Sequence, residues 1–185
     1  MHLELENLKN IAEPADVRQK FFEKTTEFAP ENRLHNRSMR NKILHPESII
    51  LDLHADSKAG VLRELIDQLV KNGILKDADS CFEELMRREN AASTCFQNGI
   101  AMPHCRTASV RNPVVAVGIS KKGYYFDSMD GKPTQIFLLC LSPENDVSPH
   151  IECLATFGSI LSDTGNIKKI LNADTVIEVY NIFRQ

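Results

Sequence analysis

Ile136-Phe137-Leu138-Leu139-Cys140-Leu141 is an unbroken apolar run, and Val114-Val115-Ala116-Val117-Gly118-Ile119 is a second one upstream of it. A strand with one wet face alternates apolar and polar residues, whereas a continuous run predicts a strand covered on both faces. Asp130-Gly131 between them marks a turn. Ile49-Ile50-Leu51 predicts a further short strand. Working outward, Asp56-Ser57 caps a predicted helix with a stripe at Val61, Leu62, Leu65, Ile66, Leu69 and Val70, ended by Gly73. Asp79 or Ser80 opens a second helix, with Phe82, Leu85 and Met86 inward, that ends near Arg88-Glu89-Asn90. Downstream of Pro149, Ile151, Leu154, Ala155, Phe157, Gly158 and Leu161 form an amphipathic helix. Ile167, Ile170 and Leu171 carry another, and Val176, Val179, Tyr180 and Phe183 a last one. Helices before and after a central set of strands predict a three-layer α/β domain.

The chain has 185 residues, 42% hydrophobic and 25% charged, enough for one domain with a sizeable core. Trp is absent, so aliphatic residues must fill that core. The net charge of −3 lacks the basic footprint of a nucleic-acid binder. Five cysteines without a Cys-x-x-Cys pair argue against a disulfide framework and against a Cys-rich zinc site. Cys81, Cys140 and Cys153 read as small hydrophobes. Met1-His2-Leu3-Glu4-Leu5-Glu6 lacks the basic and apolar regions of a signal peptide, and no apolar run reaches the ~20 residues of a membrane helix. The expectation is a cytoplasmic protein without membrane insertion.

Residues 1–45 read as an N-terminal extension. Pro14 opens a predicted helix through Val17, Phe21 and Phe22 to about Phe28, and Pro30 stops it. The stretch from Asn32 to Lys42 then reads as a solvated polar linker, with Arg33, Arg37, Arg40 and Lys42 but no acid. Eight basic and seven acidic residues give the extension +1, leaving −4 for residues 46–185.

The chemistry concentrates in Asn98-Gly99-Ile100-Ala101-Met102-Pro103-His104. Gly99 permits positive φ and Pro103 fixes the backbone beside His104. The loop therefore aims one imidazole, the side chain that titrates nearest neutral pH. A lone histidine can be base, nucleophile, metal ligand or phosphate carrier. His150, after Ser148-Pro149, reads either as a polar residue at a helix start or as a second imidazole. Arg88 suits a helix C-terminus, and its guanidinium equally grips phosphate in a bidentate fork. Ser93 and Thr94 offer hydroxyl donors, or ordinary loop chemistry. Two imidazoles and one arginine suit a phosphoryl group carried on histidine. Cys105 beside His104 raises a Cys–His nucleophile, but neighbours in extended backbone point to opposite sides. No third metal ligand stands at zinc spacing, and no Gly-rich phosphate loop suggests ATP. Neither a metal nor a cofactor is expected.

Arg88-Glu89, Ser93-Thr94 and Gly99-Ile100-Ala101-Met102-Pro103-His104 together resemble the EIIA component of the fructose/mannitol class (type 2) of the bacterial phosphotransferase system. That class includes the nitrogen-regulatory EIIA proteins. Phe126-Asp127, Asp130-Gly131-Lys132-Pro133, and His150 opening a helix with Leu154 on its inner face also fit the pattern. The resemblance covers about residues 46–184. It departs at Cys95-Phe96-Gln97, where the family usually carries glycine-rich residues.

The resemblance implies a mixed β-sheet flanked by helices and a phosphotransferase component working through phosphohistidine. His104 would accept a phosphoryl group on Nε2 from HPr or an HPr paralogue. Arg88 would neutralise its charge, and His150 would hydrogen-bond and orient it. The group would pass to a sugar-specific EIIB or act as a regulatory signal on target proteins, with the nitrogen-regulatory branch favoured. Ile100 and Met102 are the expected apolar landing surface for the partner. The competing reading is a non-catalytic regulatory binding module that keeps the same fold.

Overall fold

The computed structural model describes residues 33–128 and 130–185. The helix read over residues 14–28 lies outside them. Among the described residues, α1 (Arg33–Ile43) leads into β1 (Leu44–Ile50), then α2 (Lys58–Lys71) and α3 (Ala78–Ala91). β2 (Ile100–Ala101), β3 (His104–Thr107), β4 (Val114–Tyr124) and β5 (Thr134–Pro143) follow. α4 (Ser148–Leu161), α5 (Thr164–Leu171) and α6 (Val176–Phe183) close the chain. The sheet is mixed, in the order β1-β4-β5-β2, with β3 also pairing with β5. β4 and β5 are antiparallel, while β1 on β4 and β2 and β3 on β5 are parallel.

The two continuous apolar runs became the two central strands. Their side chains alternate between faces, and each face has its own core. Ile136, Leu138 and Cys140 of β5 join Val115, Val117 and Ile119 of β4 in one cluster, with Phe157, Ile170, Val179 and Phe183 from α4, α5 and α6. Phe137, Leu139 and Leu141 point the other way, with Ala116, onto Leu62, Leu65, Ile66, Leu69, Cys81 and Leu85 of α2 and α3. The result is the three-layer α/β arrangement that the runs implied.

The helix starts follow local chemistry. Ser57 caps α2 by accepting from the Gly60 amide at 3.1 Å. Thr175 and Glu178 form a reciprocal capping box on α6. The cap of α3 is Asp77, which accepts from the Ser80 amide, rather than the expected Asp79 or Ser80. A side-chain acceptor must sit two or three residues ahead of the orphan amide it serves, and Asp77 alone satisfies that for Ser80.

Two expectations are corrected near the N-terminal end. The Asn32–Lys42 stretch, read as a polar linker, is mostly the helix α1. Arg40 is buried at 6% exposure and donates to the Gln185 carbonyl, and Arg184 Nε donates to Asn41 Oδ1 at 3.0 Å. Tertiary hydrogen bonds to the chain's far end thus hold a helix whose own sequence offers few apolar residues. The first strand begins at Leu44 rather than Ile49, because Leu44 and Ile49 both pair with β4 across an irregularity that contains Pro46.

β2 and β3 are two lengths of one strand. Ile100 lies opposite Ile136 and His104 opposite Cys140, so the register is continuous across Met102-Pro103. Pro103 has no amide hydrogen to give a neighbouring strand, a loss tolerated at sheet borders. Its carbonyl still accepts from the Cys140 amide at 2.9 Å. Met102 turns its own amide away from β5, to the Thr94 carbonyl at 3.0 Å.

Gly118 of β4 packs directly against Leu53 and against Leu65 of α2. A Cβ there would stand 2.8 Å from Leu53 Cδ1 and 3.0 Å from Leu65 Cδ2, both in the packed core. Gly118→Ala is therefore expected to destabilise the fold by about 1–3 kcal/mol through overpacking, read as a lower urea midpoint. An unchanged midpoint would mean that this layer is looser than described.

Candidate functional site

Three elements converge on His104. β3 begins with it, Arg88 stands in the last turn of α3, and His150 in the first turn of α4. α3 packs on one face of the sheet and α4 on the other. The border strand is where side chains from both layers can reach the same point. The sequence-predicted trio is thus brought together. Arg88 Nη2 lies 3.1 Å from His104 Nε2, and the two imidazole rings are 5.3 Å apart, tilted by 59°.

The hydrogen bonds assign the proton on His104. Nδ1 is 2.8 Å from the Met102 carbonyl, which can only accept, so Nδ1 carries the hydrogen. Nε2 then holds a lone pair, and Arg88, which can only donate, points at it. Arg88 is itself braced, because Nη1 donates to the Ala92 carbonyl at the end of its own helix, 2.9 Å away. His150 Nδ1 pairs with Ser142 Oγ at 3.1 Å.

Both imidazoles are held neutral. The His104 ring is partly exposed, but desolvation is still the largest influence. Together with the Arg88 and His150 charges it drives the pKa well below the usual histidine value, against the Met102 hydrogen bond, which raises it. His150 is lowered to about 4, by burial first and then by Arg106 and Arg88. A neutral imidazole whose Nε2 lone pair meets a fixed guanidinium can serve as a nucleophile with an anion-binding group at its tip.

The loop between Arg88 and His104 is a compact hairpin. Asn98 (φ 64°) and Gly99 (φ 73°) both occupy the left-handed region at its tip, which asparagine and glycine tolerate best. Cys95 bridges to Ala101, and the Phe96 amide donates to the Ile100 carbonyl at 2.8 Å. The departure from a glycine-rich loop is absorbed by burial. Cys95 and Phe96 are 0% and 8% exposed, in opposite cores. The Cys95 thiol lies 2.8 Å from Thr134 Oγ1 and is pushed up to about 11 by burial.

Ser93 and Thr94 brace the loop. Ser93 Oγ donates to the Phe126 carbonyl at 3.1 Å, and Thr94 Oγ1 donates to Glu89 Oε2 at 2.6 Å. Ile100 and Met102, expected as a landing surface, are 2% and 3% exposed and belong to the core. The pleat turns both toward the α4 layer, so neither can meet a partner. Cys105 lies on the opposite face from His104, packed with α3, and its thiol is raised by Cys81 and by burial. A Cys105–His104 nucleophile pair is geometrically excluded.

Sequence reasoning missed four residues around this site. Glu89 was visible only as half of the Arg-Glu pair, yet it is 2% exposed and fully engaged. Lys58, from the start of α2, lies 2.9 Å from Glu89 and 3.0 Å from Asp127. No spacing in the sequence links it to His104. Ser142 closes an apolar run and gave no signal. Arg106 is two residues beyond His104 on the same strand face, a relation that period-2 alternation could have found once β3 was recognised. Among the described residues, no group of three His, Cys, Asp or Glu side chains is placed to hold a metal ion. No described helix is long and apolar enough to cross a membrane.

Comparison with known proteins agrees with this fold. Residues 42–185 match the family described as phosphoenolpyruvate-dependent sugar phosphotransferase system, EIIA 2. The chain belongs to that family, and so is a phosphotransferase-system component. It is 33% identical over 143 residues to the fructose-specific EIIABC component of Bacillus subtilis, covering 76% of this chain but only 22% of that protein. It is 31% identical over 141 residues to the nitrogen regulatory protein of Pseudomonas aeruginosa, covering 76% of this chain and 92% of that one. The crystal structure of nitrogen regulatory protein IIA-Ntr from Neisseria meningitidis superposes with a TM-score of 0.71 at 29% identity, over 77% of this chain and 97% of that one.

The depressed histidine pKa values make stability depend on pH. Unfolded histidines protonate near 6.5, whereas folded His150 resists until about 4. Between these values the unfolded state binds more protons, so acid favours unfolding. The melting temperature is expected to fall as pH drops from 6.5 toward 4. His150→Gln should flatten that slope, and an equally steep slope in the variant would contradict the assignment.

Proposed function

We propose that the protein is a phosphohistidine carrier in which His104 Nε2 accepts and releases a phosphoryl group. The observation that carries this reading is the fixed tautomer: Nδ1–H bonded to the Met102 carbonyl, with the Nε2 lone pair 3.1 Å from Arg88 Nη2. A phosphohistidine on HPr or an HPr paralogue is the donor. The Nε2 lone pair attacks its phosphorus and forms the new N–P bond as the donor's N–P bond breaks in line. The electron pair leaves with the donor imidazole, which takes up a proton. Arg88 then donates to the phosphoryl oxygens instead of to Nε2. His150, with Nδ1 accepting from the Ser142 hydroxyl, presents Nε2–H to the same oxygens. Transfers of this kind depend on positioning and charge stabilisation more than on covalent help from the protein.

The phosphoryl group then goes to an EIIB-type acceptor, or its presence on His104 is read by a regulatory target. Similarity along 92% of a nitrogen regulatory protein supports the regulatory branch.

Incubation with phosphoenolpyruvate, Enzyme I and HPr should add one acid-labile, base-stable phosphoryl group to the intact mass. His104→Ala should abolish it. No gain, while a control EIIA is phosphorylated in the same tube, would favour a binding module that works without phosphorylation. Arg88→Ala should slow uptake by about 100- to 1,000-fold, the usual loss for one donor to a developing anion, with the fold intact. Arg88→Lys should recover part of the rate, since a lysine keeps the charge without the fork. Uptake should also fall less between pH 8 and pH 6 than it would for an exposed histidine, because burial holds the His104 pKa well below its usual value.

A further inference from the structure

Glu89 is the least expected group near the site: a carboxylate 2% exposed, one residue from the arginine that faces His104. A buried carboxylate is costly unless its oxygens are occupied. Here they are. Glu89 accepts from the Thr94 amide at 3.0 and 3.2 Å and from the Thr94 hydroxyl at 2.6 Å, and it pairs with Lys58 at 2.9 Å. The hydrogen bonds fix Thr94, the ion pair holds Glu89, and none of these contacts touches the imidazole.

Thr94 in turn governs Met102. The Thr94 carbonyl accepts the Met102 amide at 3.0 Å, and the Met102 carbonyl accepts His104 Nδ1–H at 2.8 Å. Alternate residues of this border strand face away from β5, so the Met102 amide and carbonyl find their partners outside the sheet. A continuous set of hydrogen bonds therefore runs Glu89–Thr94–Met102–His104. Lys58 extends it further. Its ammonium also meets Asp127 at 3.0 Å and lies 4.7 Å from the centre of the Phe126 ring. The Phe126 carbonyl accepts from Ser93, next to Thr94. The start of α2, the end of α3 and the 126–127 segment thus hold one loop from three sides.

We infer that Glu89, clamped by Lys58, is a positioning residue: it sets Thr94 and Met102 so that His104 keeps its proton on Nδ1 and its lone pair on Nε2. This deepens the phosphocarrier reading and rests on it for its consequence in transfer, though the tautomer itself can be read without any transfer. Glu89 and Arg88 then divide the work within one helical turn. The arginine faces the group to be transferred, and the glutamate orients the nucleophile through the loop. The effect resembles the way partners beyond the first contact orient histidines at metal sites, where their loss costs about 10- to 100-fold.

The test uses ¹⁵N-histidine-labelled full chain at pH 7.5, with imidazole nitrogen–proton correlation spectra. In the unmodified protein the His104 ring should show Nδ1–H. In Glu89→Gln it should show a mixture in which Nε2 also carries the proton. In the phosphoenolpyruvate, Enzyme I and HPr assay the same variant should transfer about 10-fold or more slowly, with an unchanged KM for phosphorylated HPr. The milder pair Thr94→Val and Thr94→Ser decides the matter if Glu89→Gln does not fold. Val, lacking the hydroxyl that meets Glu89, should shift the tautomer and slow transfer, and Ser should restore both. An unaltered His104 tautomer in folded Glu89→Gln, or in Thr94→Val, would overturn the inference. A shifted tautomer in a protein that HPr never phosphorylates would leave Glu89 as the positioning residue and remove the carrier reading instead.

Discussion

The 2.8 Å hydrogen bond from His104 Nδ1 to the Met102 carbonyl is the contact on which the rest of the site depends. In water an imidazole exchanges its proton between two nitrogens. Here one nitrogen is committed to a carbonyl that can only accept, so the other is left to do chemistry. That bond is worth only about 1 kcal/mol net. Its importance lies in choosing between two states of nearly equal energy, which takes little energy and much geometry.

The geometry comes from the outward edge of a border strand. Between Ala101 and His104 the register on β5 is kept, but Met102 directs both backbone groups outward and Pro103 has no amide to give. At the sheet border those groups have no neighbouring strand to pair with, and the carbonyl becomes the histidine's anchor. The hairpin of residues 94–100 supplies the missing partners. Its tip needs two residues at positive φ, which Asn98 and Gly99 adopt at small cost. The buried Glu89–Lys58 pair then fixes its base. Such a pair does not by itself stabilise a fold, because desolvation offsets the attraction. Its place beside the His104 loop fits the proposed role of specifying one arrangement.

The two-faced sheet explains how distant residues share one centre. Arg88 belongs to the layer over one face and His150 to the layer over the other, and only at the border strand do both layers reach the same atom. The same packing that stacks the layers desolvates both rings and lowers their pKa values while arginines approach. A neutral imidazole and its cationic neighbours are thus products of one packing arrangement.

The amino-acid order by itself determined the central strands and the helices with clear stripes and caps, and it singled out His104, with His150 and Arg88 as candidates whose roles came from the family resemblance. These rest on local signals: apolar runs, helical periodicity, and rare residue types in a turn-forming context. Other features depended on partners far along the chain. The polar stretch that became α1 is held by bonds to Gln185 and from Arg184. Ile100 and Met102 read as an apolar rim, but the pleat turned them into the core. Glu89 and Lys58, separated by thirty-one positions, meet only once α2 and α3 lie side by side. Periodicity reports which face a residue takes within its own element. Which element covers that face, and which polar groups are thereby forced to find one another, is decided by the packing of layers in three dimensions.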